Sequence, residues 1–320
     1  MDYREKIDYS SLSCYMDCPR KFLFKYLLHF RGDKNINLVF GSCYHYGLEM
    51  VYRELKENRN LSVLDATNIS KDAFMKLWAI EGEPHFKDHD RIFPKSPGHA
   101  INMYHAFWTR YLKFDLNDKA VLGVKTPFAI NLGPDMPAYI GRLDLAWEKV
   151  NKSIEIVDHK TAKALYPISL TSYEVSYQTD GYLAAGSMFY DRIPSMTYNI
   201  HLCQKSKIDF HRYHINKRRA NIDQFLFDLV LTIKDLLHNL NLFSYDLTHC
   251  TDRNDCIKSF RRNPGSACTT FMRSCSYKDI CMIRNNPLLW YNAPPQGFEI
   301  NEWDPDTHEK DIKEKLKEVK

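Results

Sequence analysis

Asp144, Asp158 and Lys160 are the residues whose types and spacing most directly suggest chemistry. Over 140–148 the chain reads Ile-Gly-Arg-Leu-Asp-Leu-Ala-Trp-Glu, which puts Arg142, Asp144 and Ala146 on one face of a strand and Leu143, Leu145 and Trp147 on the other. Residues 154–163, Ile-Glu-Ile-Val-Asp-His-Lys-Thr-Ala-Lys, repeat the pattern, with Ile154, Ile156, Asp158 and Lys160 on one face and Val157 and His159 opposite. The intervening Lys149–Ser153 contains Asn-Lys-Ser, short enough for a hairpin although it lacks the favoured Asn-Gly. Two carboxylates and an ammonium are thus expected to meet at the end of a hairpin. Hard divalent ions such as Mg²⁺ prefer carboxylate and carbonyl oxygens, so Asp144, Asp158 and the main-chain carbonyl of His159 could share one. An ion beside the Lys160 ammonium can polarise a phosphodiester, activate water and stabilise charge developing on phosphorus. An ordinary hairpin with solvated Asp, Asp and Lys has the same spacing.

Other elements must position these groups. Gly41-Ser-Cys-Tyr-His45 opens a helix expected to run to about Lys56, with Tyr44, Leu48, Val51, Tyr52 and Leu55 as its apolar stripe and His45 and Glu49 on a neighbouring face. His45 is a candidate metal ligand or a structural histidine, and Glu49 reads as a surface acid. Residues 61–114 read as a helical insertion broken around Pro94, Pro97 and Gly98, either shaping a substrate channel or simply packing. Val121–Leu132 predicts a strand. Thr171-Ser-Tyr-Glu174 has the form of a capping box for a helix to about Tyr190, on which Gln178 and Tyr182, four apart, share a face and Gly181 and Gly186 permit close approach to the sheet. Tyr198–His214 predicts one or two strands. Lys205, Lys207, Arg212, Lys217, Arg218 and Arg219 nearby form either phosphate contacts or a solvated edge. Ile222–Leu240 predicts a helix with Phe225, Leu229, Ile233 and Leu236 facing the core.

The cysteines form a second pattern. Tyr9–Phe30 reads as two helical pieces, the first capped by Ser10 or Ser11, the second by Cys18 with Pro19 at its first position. Arg20, Lys21 and Lys25 then alternate with Phe22, Phe24 and Tyr26. Far downstream, Cys268, Cys275 and Cys281 follow one another closely. Thiolates suit both iron-sulfur clusters and zinc. Cys14 competes with Cys18 as a ligand, Cys250 and Cys256 are alternatives to the later three, and Cys43 and Cys203 read as buried thiols.

Taken together, Gly-x-x-x-His45, Gly141-Arg-Leu-Asp144, Val157-Asp-His-Lys-Thr161, Gln178-x-x-x-Tyr182 and the split cysteine pattern resemble the PD-(D/E)XK nucleases. They resemble specifically the RecB-like exonuclease branch, which includes the AddB-type and CRISPR-associated nucleases that carry an iron-sulfur cluster. The resemblance runs from about Tyr9 to Ile283, with the motifs in family order. It implies an α/β, restriction-endonuclease-like fold: a mixed central sheet flanked by helices, with a helical insertion and an iron-sulfur staple joining the N- and C-terminal segments. It implies Asp144, Asp158, Lys160, Gln178 and Tyr182 as catalytic residues, and His45, Asp144, Asp158 and the His159 carbonyl as ligands of Mg²⁺ or Mn²⁺. Cys18, Cys268, Cys275 and Cys281 become ligands of a 4Fe-4S cluster. The chain departs from the family where a glutamate is often found, Lys125 being the nearest equivalent. The implied activity is a metal-dependent DNA exonuclease acting on single-stranded or free DNA ends in recombination, repair or mobile-element processing, with recombination or replication proteins as partners. The competing expectation is a catalytically silent nucleic-acid-binding or assembly module.

Composition sets outer bounds. At 320 residues, 44% hydrophobic and 26% charged, the chain suits a globular protein with a substantial core. No run approaches the roughly 18 apolar residues of a membrane span, and the start lacks the pattern of a signal peptide, so an intracellular, cytoplasmic protein is expected, in a host cell if phage-encoded. A net charge of +4 leaves nucleic-acid binding to local basic patches, and nine cysteines argue against a complete set of disulfide pairs. The expected organisation is one nuclease domain over 1–290, with an insertion over 59–118 and a cysteine segment over 250–285, followed by a polar tail over 291–320.

Overall fold

A computed structural model describes residues 2–190, 193–252, 254–270, 273–283, 286–291, 293–302 and 304–318. In chain order, β1 (Lys6–Asp8) leads into α1 (Tyr9–Asp17), α2 (Pro19–Phe22), a π-turn over Leu23–Leu27 and β2 (Phe30–Arg31). The α1 cap is Asp8, whose carboxylate accepts from the Ser11 N–H at 2.6 Å; neither Ser10 nor Ser11 serves. Cys18 caps α2, with Pro19 first in the helix, as expected. Next come α3 (Ile36–Glu57), α4 (Val63–Glu81), α5 (His89–Ile92) and α6 (Pro97–Asp118). Helix α3 starts five residues before the expected Gly41, because Asn35 caps it, accepting from Asn37 N–H at 2.9 Å. Gly41 lies inside the helix, where a Cβ would stand 3.3 Å from Thr161 Oγ1.

Strands β3 (Lys119–Ile130), β4 (Ala138–Lys149) and β5 (Ile154–Ala162) follow, then helices α7 (Pro167–Glu174) and α8 (Tyr177–Phe189). The single helix expected over 171–190 is therefore two. Ser176 supplies a fresh cap, its Oγ accepting from Gln178 N–H at 3.1 Å, and Thr179 Oγ1 donates to the Tyr173 carbonyl across the break at 2.6 Å. Strands β6 (Ser195–Cys203) and β7 (Ile208–Ile215) form the second hairpin, and α9 (Arg219–His249) exceeds its predicted span at both ends. The remainder is short: β8 (Thr269–Thr270), β9 (Arg273–Ser274), α10 (Lys278–Ile283), β10 (Glu299–Ile300) and α11 (Pro305–Glu318). Among the described residues no helix is long and apolar enough to cross a membrane.

The chain divides into two compact units, each gathered from separate stretches. One comprises Lys34–Phe128, Gly141–Gln224 and His308–Lys320. Its mixed sheet runs β3–β4–β5–β6–β7, with β4–β5 and β6–β7 antiparallel and β5–β6 parallel. Leu145 pairs with Val157 and Ala146 with Ile156, so the two arms of the β4–β5 hairpin carry their alternating faces in phase. Leu145, Trp147 and Val157 pack with Phe210 against α3, α4 and α6, forming a core that includes Tyr44, Phe74, Trp78, Tyr104 and Trp108. On the other face α8 approaches closely: a Cβ on Gly186 would lie 2.5 Å from Ile156 Cδ1. The expected polar tail contributes too, since Ile312 of α11 packs against the core.

The other unit comprises Met1–Asp33, Ala129–Ile140 and Phe225–Thr307. Here β1 pairs in parallel with the first three residues of β4, and Phe225, Leu229, Ile233 and Leu236 of α9 are buried as their spacing predicts. The Phe22 ring touches those of Tyr3, Tyr15, Tyr26 and Phe260, with centroids 5.1–5.7 Å apart. Buried Arg20 donates to the Phe260 carbonyl at 2.9 Å, and Tyr277 Oη to that of Phe30 at 2.9 Å.

Two stability predictions follow from these packings. Gly47 in α3 faces Tyr104, and a Cβ there would stand 2.2 Å from the Tyr104 hydroxyl and 2.7 Å from the Ser70 carbonyl. Gly47→Ala should therefore destabilise by about 1–3 kcal/mol in denaturant unfolding, although alanine is the better helix former; unchanged or raised stability would contradict this packing. Glu155 on β5 is fully buried, accepts from Lys119 Nζ at 2.7 Å and pairs with Lys149 Nζ at 2.9 Å. Burial opposes its charge, but the two lysines bring its carboxyl from 4.5 down to about 2. Because the folded value lies below the unfolded one, the stabilisation is complete above pH 4.5 and disappears as pH falls towards 2, a total of about 3 kcal/mol. The stability gap between wild type and Glu155→Gln should accordingly shrink across that window; a pH-independent gap would refute the pairing.

Candidate active site and cysteine segment

The expected hairpin brings its acids and lysine together. Asp158 and Lys160 emerge from β5 on the α8 side, and Lys160 Nζ lies 2.6 Å from Asp158 Oδ2. Helix α8 supplies the clamp: Lys160 Nζ donates to Gln178 Oε1 at 2.9 Å, while Gln178 Nε2 donates to Tyr182 Oη at 3.1 Å and to Asp158 Oδ1 at 3.4 Å. Four residues separate Gln178 from Tyr182, one helical turn, so one face delivers both. The Lys160 ammonium also sits 5.6 Å from the centre of the Tyr198 ring, which is held by Thr179 through a 2.8 Å hydrogen bond and stacks on Tyr173 at 4.3 Å.

Asp144 on β4 has a different partner. Lys125 Nζ donates to its Oδ1 at 2.6 Å, and the His159 N–H approaches its Oδ2 at 3.4 Å. Lys125 adopts φ 49°, the left-handed region, within an otherwise extended strand. Such strain persists where surrounding structure over-determines it. In the sequence Lys125 stands out only through the resemblance, as the nearest equivalent of a glutamate often found near this position; its pairing with Asp144 is a product of the fold. The neighbouring Gly123 was the available signal of an interrupted strand.

The two carboxylates are pushed apart in acidity. Burial acts against the charge of Asp144, yet Lys125 and then His45 override it and hold the group far below the usual carboxylate range. Burial dominates at Asp158 and, with the charge of Asp144, holds it above that range despite Lys160. The lysines move the other way: burial disfavours their charge, but Asp144 raises Lys125 and Asp158 raises Lys160. The site is thus an alternation of anions and cations in a setting that screens them poorly.

His45, on α3, is kept neutral by burial, which lowers it to about 4, and its buried Nε2 has no hydrogen-bond partner among the described residues. The His159 side chain points to the opposite face of β5, stacking on Tyr52 at 5.4 Å, with Nδ1 3.2 Å from His201 Nε2. His201 Nδ1 in turn meets Tyr44 Oη at 3.0 Å. This buried His159–His201–Tyr44 chain was not anticipated, since β6 registers against β5 only in the folded sheet. Glu49, expected at the surface, pairs with Arg53 at 2.8 Å.

The donors suit a hard divalent ion: two carboxylates, one of them strongly held ionised, and a neutral imidazole whose buried nitrogen lacks a partner among the described residues. Among the described residues, however, no three His, Cys, Asp or Glu side chains converge on one point, and ammonium groups contact both carboxylates.

Cys18, Cys268, Cys275 and Cys281 all belong to the other unit, but among the described residues no three of these thiols converge on one point. The Cys275 N–H donates to the Cys268 carbonyl at 2.8 Å, next to the β8–β9 pairing. Cys281 is raised by burial, with Arg20, Cys18 and Cys268 among the charges it senses. The rival Cys14 is buried, its thiol pushed up to about 11. Cys250 donates to Asp246 at 3.7 Å and Cys256 is exposed, while Cys43 and Cys203 are buried in the unit that carries the hairpin.

Among solved structures, the chain is similar to the protein SSO0001, with 14% identity over 72% of this chain and 78% of that one, and a TM-score of 0.32. It is also similar to a candidate exonuclease from Eubacterium rectale, with 11% identity over 80% and 90% of the two chains and a TM-score of 0.44. No curated protein matches it. The model of the PD-(D/E)XK nuclease superfamily matches residues 7–282, a span that contains the whole hairpin site and its helical clamp, and the chain belongs to that superfamily.

Proposed function

We propose that the chain is a metal-dependent DNA exonuclease that hydrolyses phosphodiester bonds at single-stranded or free ends, in recombination, repair or mobile-element processing. The observation that carries this reading is Lys160, half-buried beside Asp158 and fixed by Gln178, which Tyr182 anchors in turn. His45, Asp144, Asp158 and the His159 carbonyl would hold Mg²⁺ or Mn²⁺, which when bound supplies Lewis acidity and neutralises charge developing on phosphate. Lys160 orients the attacking water and meets the non-bridging oxygens. Gln178 holds the ammonium at that position and Tyr182 fixes the amide, while Lys125 keeps Asp144 ionised.

Residues 1–290 act in this reading as one nuclease domain, with the insertion over 59–118 and the cysteine segment over 250–285; 291–320 lie outside the catalytic apparatus. The protein works inside the cell, with recombination or replication proteins as partners. Cys18, Cys268, Cys275 and Cys281 ligate a 4Fe-4S cluster. Support for this comes from the four thiol donors lying in one unit.

Degradation of end-labelled single- and double-stranded DNA by anaerobically purified protein, with Mg²⁺, Mn²⁺ or EDTA, tests the catalytic reading. Lys160→Ala and Asp158→Asn should each lower the rate at least ~100-fold, and the fate of the label would give the polarity. Absence of cleavage by cluster-replete protein would favour the silent binding module. The cluster has its own test: the protein should be brown, absorb near ~400 nm and contain iron, and Cys281→Ala should lose all three. A colourless protein containing stoichiometric zinc would replace the cluster with a zinc site.

A further inference from the structure

We propose that a basic cleft at the exit of β5 holds a single strand of nucleic acid and presents it to Lys160. The cleft has a volume of about 950 Å³ and lies wholly within the unit that carries the catalytic hairpin. Four segments build it: the start of α3, the connection from α4 to α6, the residues just after β5, and the end of β6 with the turn to β7.

Its charge is lopsided. Lys87, Arg91, Lys95, Lys163 and Lys205 line it against a single carboxylate, Asp88, which already accepts from the Arg91 N–H at 3.0 Å. None of the five cations forms an ion pair among the described residues. Elsewhere in this unit buried or half-buried cations are matched: Arg212 to Asp115, Lys119 to Glu155, Lys217 to Asp180. Unmatched cations gathered round one cleft repel each other and attract a polyanion. They come from three separate segments, as suits a backbone lying along a groove better than one small anion.

Aromatic rings supply the second half. Phe93, 38% exposed, and half-buried Phe86 line the same cleft. Ring faces bind bases by stacking, and a base offers its face only when unpaired, since duplex neighbours cover it. Cations for phosphates with rings for bases select a single strand over a duplex.

Position connects the cleft to the chemistry. Lys163 follows Lys160 by three residues, about 10 Å of extended chain. Gln204 Nε2 donates to the Lys163 carbonyl at 2.9 Å, tying the β6–β7 turn to the end of the catalytic strand. A strand held on Lys163 and Lys205 thus lies within a few nucleotides of Lys160; only this destination rests on the nuclease reading.

The test is fluorescence anisotropy of labelled oligo(dT) 20-mer with the full chain in EDTA, which separates binding from turnover. The triple variant Lys87→Glu, Arg91→Glu, Lys205→Glu should bind at least ~10-fold more weakly, with a salt dependence shallower by about 2 in log–log slope. A charge-matched control, Lys71→Glu, Lys76→Glu, Lys113→Glu, should bind within about threefold of wild type. Phe86→Ala with Phe93→Ala should weaken binding at least ~5-fold while leaving the salt slope unchanged. Thermal unfolding midpoints check the fold, and Lys205→Glu alone, on an exposed turn, replaces the triple variant if that one is unstable. Equal losses in cleft and control variants, or competition by duplex as effective as by single strand, would overturn the proposal. Binding that follows the cleft variants in a protein that cleaves nothing with either metal would uphold the cleft and overturn the nuclease reading.

Discussion

The architecture around the hairpin depends on the electrostatic cost of burying two carboxylates side by side. An uncompensated charge in such a place costs several kcal/mol. Each acid therefore has an ammonium at 2.6 Å, Lys125 at Asp144 and Lys160 at Asp158. Meeting that demand dictates other features. Strand β3 enters a left-handed conformation at Lys125, α8 comes close enough for Gln178 to bond Lys160, and Gly186 leaves room for Ile156 beneath the helix.

The same arrangement makes the two acids chemically unlike. One acid is held firmly ionised while the other is raised by burial and by its neighbour's charge, so two similar side chains acquire different roles from their surroundings. Lys160 is held by Gln178, Asp158 and the Tyr198 ring, which fixes the position of its ammonium. On the reverse face of β5, His159 is fixed by His201, so the strand that carries Asp158 and Lys160 is held from both sides.

The unit that gathers Met1–Asp33 with Phe225–Thr307 solves a different problem. Closing a loop of more than 200 residues is entropically costly, though the cost grows only slowly with length. Aromatic packing of Phe22 with Phe260, and the bond from Arg20 to the Phe260 carbonyl, join the early and late segments directly. Ligation by Cys18 and the later three cysteines would reinforce a joint that apolar burial already makes.

Local pattern was enough for much of this. Alternation over 140–148 and 154–163 located the hairpin and put Asp144, Asp158 and Lys160 on one face, and a spacing of four put Gln178 beside Tyr182, because strand and helix periods are set by the backbone alone. The stripe on α9 was legible for the same reason. What escaped were events decided by competition or by distance. Ser176 won the role of cap and split one helix into two; Asp8 displaced the serines. Lys125 became the partner of Asp144 across 19 residues, His201 the partner of His159 across 42, and the cations of the cleft were drawn together from three segments. The sequence by itself determined which groups could react and which faces they shared. Only the tertiary structure decided what neutralises them, since a counter-charge is chosen by proximity in the packed interior and leaves no periodic trace along the chain.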